Sequence, residues 1–326
     1  MDLISFEVPE AGRLDKILTT ELQESRNQVE QLIKEGLVSV NGKTVLKTGK
    51  KLLEGDEISY SFKKVIPKEP IVIDFDVEII YEDDVMMVVN KPAGLVVHPA
   101  ASVKEATLVD WLIKKGISLS TISGEERHGI VHRIDKNTTG ALVIAKTNEA
   151  HQKLSEQLQD KSMGRYYLAV IDYPLKDSGI VEKSIGRNPN NRLKMDVREN
   201  GKEAKSAFYK LAESDKSDKR LELIAVKLFT GRTHQIRVHL ESLGRHILGD
   251  NLYGFKSKKD TIKRVFLHAY KLYMLHPTTG EKMEFVAPLF PDMKDFISNK
   301  FNQGEINEKL NPHIIDSYFT TVTNRL

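Results

Sequence analysis

Residues 129–147 read GIVHRIDKNTTGALVIAKT. The first half, through Gly140, is polar and rich in turn formers, and residues 141–145 are an unbroken apolar run. An apolar run of that length bounded by turn residues reads as a strand buried on both faces. A carboxylate, Asp135, and an arginine, Arg133, therefore sit on a loop that feeds a buried strand, the arrangement in which a rigid scaffold presents reactive groups. Taken alone, Asp135 has a plainer reading, as a turn cap helped by Asn137 and Thr138.

Outward from this stretch, further strands are predicted at 85–90, 166–171 and 221–228, and helices at 107–115, 149–160 and 233–243. Short strands meeting at turns, with helices interspersed, indicate an α+β domain around a mostly antiparallel mixed sheet. That domain spans 78–300. Residues 67–77, within the Pro-containing stretch KKVIPKEPIVIDFD, read as a linker. Residues 301–326 are polar, with a small apolar cluster at 314–319, and disorder is the default for such a tail.

Residues 1–66 form a separate small unit. Leu14, Ile17, Leu18 and Leu22 fall at helical spacing, and a second helix begins at Ser25 with Gln28 three residues on as a capping box. Asn41-Gly42 between Val38–Val40 and Lys43 is a hairpin signal, because a type I′ turn needs positive φ at both positions. Between Arg26 and Lys51, six bases (Arg26, Lys34, Lys43, Lys47, Lys50, Lys51) face two acids (Glu30, Glu35). A basic helix beside a hairpin can hold phosphates, and it can also be no more than a solvated face.

Composition narrows the function classes. The chain of 326 residues carries no cysteine, which excludes disulfides, thiolate metal sites and a cysteine nucleophile, and a reducing cytoplasm fits. The N-terminus lacks the basic start and apolar run of a secretory signal, and no apolar stretch approaches the roughly 20 residues of a membrane helix. The net charge of +3 is too small to argue for a polyanion partner by itself.

The order of residues says more. GRLDKILTTEL, SRNQVEQLIKEGLVSVNGK and LLEGDEI resemble the small αL RNA-binding module first described in a small-subunit ribosomal protein. Five further segments follow: YEDDVMMVVNKPAGLVVHP, HRIDKNTTG, RYYLAV, TGRTHQIRVHLESLGRHILGDNLYG and LHAYKLYMLHPTTGEKMEFVAPL. Together they resemble the RluA-type family of pseudouridine synthases, and specifically its RluC/RluD-like subgroup, which carries the αL module ahead of the catalytic domain. The resemblance covers residues 11–292. It implies isomerisation of uridine to pseudouridine in structured RNA, large-subunit ribosomal RNA or a pre-ribosomal particle first and transfer RNA as the alternative. It implies no cofactor and no metal, with a monomer as the default. Residue by residue, Asp135 resembles the catalytic aspartate, Tyr167 the tyrosine beside the flipped base, and Arg237 the arginine that pairs with the carboxylate. Leu267 resembles the apolar wall of the pocket, and Arg133, with its neighbour His132, fills the space left by the extruded nucleotide. Arg13, Arg26, Lys34, Lys43, Lys47 and Arg232 are candidate RNA contacts, with Thr230 to Thr233 offering a glycine turn and a threonine cap that hold phosphate at a helix start. The chain departs from the family pattern at Ile134, where leucine is usual, at Ala141, and at Asp172-Tyr173, where glycine is common.

Two rivals come from other classes. His132, His234, His239 and His268 suggest a metal hydrolase, but His234 and His239 are five apart rather than the four that places two ligands on one helical face. A non-catalytic RNA-binding or assembly factor would keep every basic feature, yet would have no use for Asp135, Tyr167 and Arg237 together.

Overall fold

The structure, a computed structural model, describes residues 3–22, 26–61, 72–100, 103–122, 128–214, 220–254 and 262–323. It divides into two units, residues 1–70 and 71–326.

In the smaller unit, Ile4–Glu7, Glu57–Tyr60, Val38–Val40 and Lys43–Thr44 form an antiparallel sheet in that order. Asn41 and Gly42 both have positive φ, at 50° and 73°, as the hairpin turn requires. Helices Leu14–Leu22 and Arg26–Lys34 bury Leu14, Leu18, Val29 and Ile33 against Val38, Val40 and Ile58. Ser25 and the side chain of Gln28 lie outside the described residues, as do residues 67–71 of the linker.

The larger unit is built on one sheet. Among the described residues its strands run in the order Gly179–Glu182, Lys205–Glu213, Glu222–Leu228, Gly164–Ile171, Leu267–Leu275, Thr139–Ala145, Met86–Lys91, Glu78–Glu82, with Lys282–Val286 also paired to Leu267–Leu275. All pairings in it are antiparallel except that of Thr139–Ala145 with Leu267–Leu275. The strands Met86–Lys91, Thr139–Ala145 and Gly164–Ile171 are buried along their whole length. Alternation divides them between two cores. Met87, Val89, Leu142 and Ile144 face helix Leu108–Lys114 with Trp111, while Met86, Val88, Ala141 and Val143 face helix Asn148–Asp160 with Leu154. An apolar run with no polar alternation is what a strand covered on both sides demands.

The C-terminal residues depart from expectation. They are not disordered: helices Gln303–Lys309 and Ile315–Thr323 bury Ile306, Ile315, Phe319 and Val322 in the main core. The wholly buried Lys271 ammonium donates to the carbonyl of Pro312 at 2.8 Å and to Asp316 at 3.0 Å, and Tyr318 stacks on Tyr209 at 4.4 Å. Ile315, Phe319 and Val322 stand at i, i+4 and i+7, so a helical signal is present in a stretch read as aperiodic. The helix of the fourth segment is also shorter than predicted, Gln235–Glu241 rather than 233–243.

Candidate active site

Four segments of the larger unit converge on one cleft: the loop before Thr139, strand Gly164–Ile171, the turn and helix around Gln235–Glu241, and the start of strand Leu267–Leu275. The loop is fixed from within and from behind. The Asp135 carbonyl accepts from the Thr138 amide at 3.1 Å, which is the turn bond, and Ile134 is buried in the core. Behind it, the Lys136 carbonyl accepts from the Gly94 amide at 2.9 Å and from the buried Lys91 ammonium at 3.1 Å. Lys91 also donates to the carbonyls of Pro92 and Leu95. Burial pulls its pKa down to about 7, against the nearby charge of Asp135. Gly140 closes the loop onto its neighbour strand. Its φ is +113°, and a Cβ there would stand 2.2 Å from the Ala269 carbonyl oxygen, so only glycine lets the two strands approach.

Arg237 joins this loop to the rest of the site. Its NH1 donates to Asp135 Oδ2 at 2.9 Å, while Nε and NH2 donate to Asp250 Oδ2 and Oδ1 at 2.7 and 2.8 Å. Asp250 is held in turn by the amides of Leu252 and Tyr253. The Tyr253 ring lies 4.8 Å from the Arg237 guanidinium carbon, a cation–π contact. Burial would by itself lower the pKa of Arg237, but the hydrogen bonds and charges of Asp250 and Asp135 outweigh it and the net shift is upward. For Asp250 the opposing effects are reversed: burial raises, Arg237 and the two amides lower more, and the carboxyl stays below its usual range. Asp135 Oδ1 makes no hydrogen bond among the described residues, so one oxygen is committed and the other faces the cleft.

Tyr167 is buried in the cleft wall, and no described residue hydrogen-bonds its hydroxyl. A β-bulge falls between Tyr166 and Tyr167 in the pairing with Leu267–Leu275, and bulges commonly re-aim side chains beside functional sites. Burial raises the Tyr167 pKa, with Arg165 opposing and Asp135 assisting. Leu267 lines the same wall, and the exposed Arg133 and Arg232 lie at the margin. His234 approaches Asp135 at 3.8 Å and bonds the Tyr253 hydroxyl through Nδ1 at 2.9 Å, and burial lowers its pKa.

The structure brings Asp135, Tyr167, Arg237, Arg133, Leu267 and Arg232 to this cleft. His132 is absent from its lining. It is buried, accepts from the Val143 amide at Nε2, and burial pulls its pKa down to about 3. The threonine cap predicted at 233 does not form. The residue preceding the helix is His234, in the left-handed region, and the Gln235 side chain takes the Arg232 amide and the Thr230 hydroxyl. The histidines suggested as metal ligands bond elsewhere, His239 to Ser206 and the Lys183 carbonyl, His268 to Thr139 and the Ala287 carbonyl. In the smaller unit Arg13 and Arg26 both clasp the buried Asp15, and Lys34 pairs with Glu30. Lys43 and Lys47 are exposed.

Asp250, Arg165, Lys91 and His234 received no role in the site from sequence. Asp250 lies in the quoted fourth segment, thirteen residues after Arg237. Acidic residues are common enough that only its contact with Arg237 marks it out.

Residues 85–242 match the model of the RNA pseudouridylate synthase family, and residues 12–58 match the S4 domain. The chain is 48% identical over 320 residues to an uncharacterized RNA pseudouridine synthase of Helicobacter pylori, covering 95% of this chain and 96% of the relative. It is 39% identical to ribosomal large subunit pseudouridine synthase D of Neisseria meningitidis, over 88% and 78% of the two chains. Among solved structures, human RNA pseudouridylate synthase domain containing 1 superposes with a TM-score of 0.55 at 25% identity, covering 70% of this chain and 88% of that one.

Proposed function

The chain belongs to the RNA pseudouridylate synthase family, and from that premise we propose that it converts uridines of large-subunit ribosomal RNA to pseudouridine, with Asp135 as the reacting carboxylate. The observation that carries this reading is the division of labour at Asp135: Oδ2 is held by Arg237 and Oδ1 looks into a cleft walled by Tyr167 and Leu267. The relative from Neisseria meningitidis supports the ribosomal substrate, and the S4 domain supports docking on RNA.

A uridine within folded RNA must leave its stack to reach the cleft, at a cost of a few kcal/mol. Arg133, exposed at the margin, is placed to take the vacated space, and Tyr167 to stack on the base, a contact worth about 1–3 kcal/mol. The Arg237 guanidinium holds the Asp135 carboxylate in place through Oδ2 at 2.9 Å. An Asp135 oxygen then attacks C1′ or removes a sugar proton, and both routes break the N1–C1′ bond. The uracil turns and C5 bonds to C1′, as the Asp135 oxygen leaves C1′ in the first route or the sugar proton returns in the second; the C5 proton then leaves and N1 takes one up. Nothing is oxidised and no group is donated, so the reaction calls for no cofactor. We place the enzyme in the cytoplasm as a monomer.

The test is to map pseudouridines in total RNA from cells with and without the gene, then to complement with Asp135→Ala. Loss of large-subunit sites that wild type restores and the variant does not, with RNA affinity retained, is the expected result. An active alanine variant removes Asp135 from the chemistry. Sites lost from transfer RNA instead overturn the substrate assignment.

A further inference from the structure

We propose that Arg165 donates hydrogen bonds to the carbonyl oxygens of the extruded uracil and stabilises the negative charge that builds there as the N1–C1′ bond breaks. The proposal rests on the reading of the cleft given above and adds a residue to its chemistry.

Arg165 is 8% exposed and lines the cleft. Among the described residues no carboxylate pairs with it and nothing accepts a hydrogen bond from its guanidinium, and the buried Nε is left without a partner. Every other buried cation of this unit is compensated. Lys91 has three carbonyls, Lys271 has Asp316 and Glu284, Arg237 has Asp135 and Asp250, and Arg264 has Asp292. A buried charge without a partner is costly, and the cost is tolerable where a ligand completes the site.

Placement says which part of the ligand. Arg165 and Tyr167 are two apart on strand Gly164–Ile171 and so share its cleft face. The guanidinium therefore sits on the wall that receives the base. Gly231 leaves it room, since a Cβ there would come within 2.8 Å of Arg165 NH1. Arg133 and Arg232 are exposed to water, while Arg165 acts where the dielectric is low and each interaction is stronger. Arg237 is already paired with two carboxylates.

The chemistry leaves a need for such a cation. When N1–C1′ breaks, its electron pair stays on the uracil and spreads over N1, O2 and O4. The sugar carbon is satisfied by an Asp135 oxygen or by loss of a sugar proton, and neither serves the base. A positioned guanidinium answers that charge without a proton transfer. The charge is discharged when C5 joins C1′, the C5 proton departs and N1 is protonated.

The experiment uses the full-length protein under single-turnover conditions and a transcript bearing the mapped site, made with uridine or with 5-fluorouridine, following disappearance of the parent nucleoside. Fluorine at C5 draws electrons and stabilises the uracil anion unaided. Arg165→Gln is expected to slow the uridine transcript about 100-fold and the fluorouridine transcript roughly 10-fold or less, with RNA affinity unchanged. An equal loss on both transcripts, or a loss expressed as weaker RNA binding, overturns the proposal in favour of a structural or phosphate-holding arginine. If Arg165→Gln does not fold, Arg165→Lys, which keeps the charge and loses the fork, carries the same comparison. Failure of the wild-type protein to modify either transcript counts against the proposed function itself, whereas an active wild type with substrate-independent loss in the variant counts against Arg165 alone.

Discussion

Arg237 and Asp250 form a two-point ion pair, Nε to Oδ2 at 2.7 Å and NH2 to Oδ1 at 2.8 Å, which leaves the remaining guanidinium nitrogen aimed at Asp135. Asp250 thereby sets the orientation of the group that holds the Asp135 carboxylate. A lone Arg237–Asp135 contact through one nitrogen would let the guanidinium rotate. The second carboxylate fixes its plane.

Asp250→Ala leaves the buried Arg237 without half its compensation. Breaking a buried pair of this kind costs about 3–5 kcal/mol. We expect a clear fall in melting temperature and a loss of turnover of roughly 100-fold, because misplacing a reacting group by about 1 Å has that effect. RNA affinity stays near wild type. Arg237→Lys shares the defect, since an ammonium cannot serve two carboxylates in one plane. Turnover retained in both variants, measured with RNA in excess of its dissociation constant, would remove Asp250 as a positioning residue.

Gly140→Ala forces a Cβ into the backbone of Ala269 at a φ of +113°. The strain and the displaced strand together cost about 3 kcal/mol or more. Urea denaturation should show a lowered midpoint, and the displaced loop should lower activity by more than the unfolded fraction accounts for. A variant as stable as wild type would mean that the two strands separate easily.

Phe319→Ala probes the C-terminal helix. Phe319 is 1% exposed and its ring centroid is 5.3 Å from that of Tyr166, beside the cleft strand. Truncating a buried phenylalanine costs about 3–5 kcal/mol, which for a domain of this size lowers the melting temperature by roughly 6–20 °C. An unaltered melting curve would show the helix to be detached in solution.

Stability should also fall with acid, in a window set by two histidines. Burial pulls His132 down to about 3 and, against the Ala287 carbonyl, His268 down to about 4. In the unfolded chain both titrate near 6.5. Above pH 6.5 they are neutral in both states. Below it the unfolded chain takes up protons that the fold refuses, so stability drops by up to about 2.7 kcal/mol per pH unit until pH 4, where only His132 still contributes. Urea melts between pH 7 and pH 4.5 measure this slope, and His132→Gln should reduce it by up to about 1.4 kcal/mol per pH unit. A slope unaffected by that substitution would place a proton on His132 in the fold.

Legibility in the sequence followed the range of the interactions involved. Residues 129–147 announced a loop and a buried strand because both depend on neighbours along the chain, and the Asn41-Gly42 turn did so for the same reason. The helices at Gln303–Lys309 and Ile315–Thr323 escape a reading by periodicity because both are short and the first is polar. Their anchors, Tyr270 to the Leu310 carbonyl and Lys271 to Asp316, come from a strand about forty residues away. The seven-residue helix after His234 started late because its first turn is held by the side chain of Gln235, which no threonine cap signals.

The amino-acid order by itself determined the two-unit plan, the family, and the three residues Asp135, Tyr167 and Arg237, since motif spacing is a property of the chain. Only the tertiary structure decided that Asp250 holds Arg237, that His132 faces the core, and that Arg165 lies buried without a counter-charge. Those are facts about distance and desolvation between residues far apart in sequence, and neither quantity exists until the strands are packed.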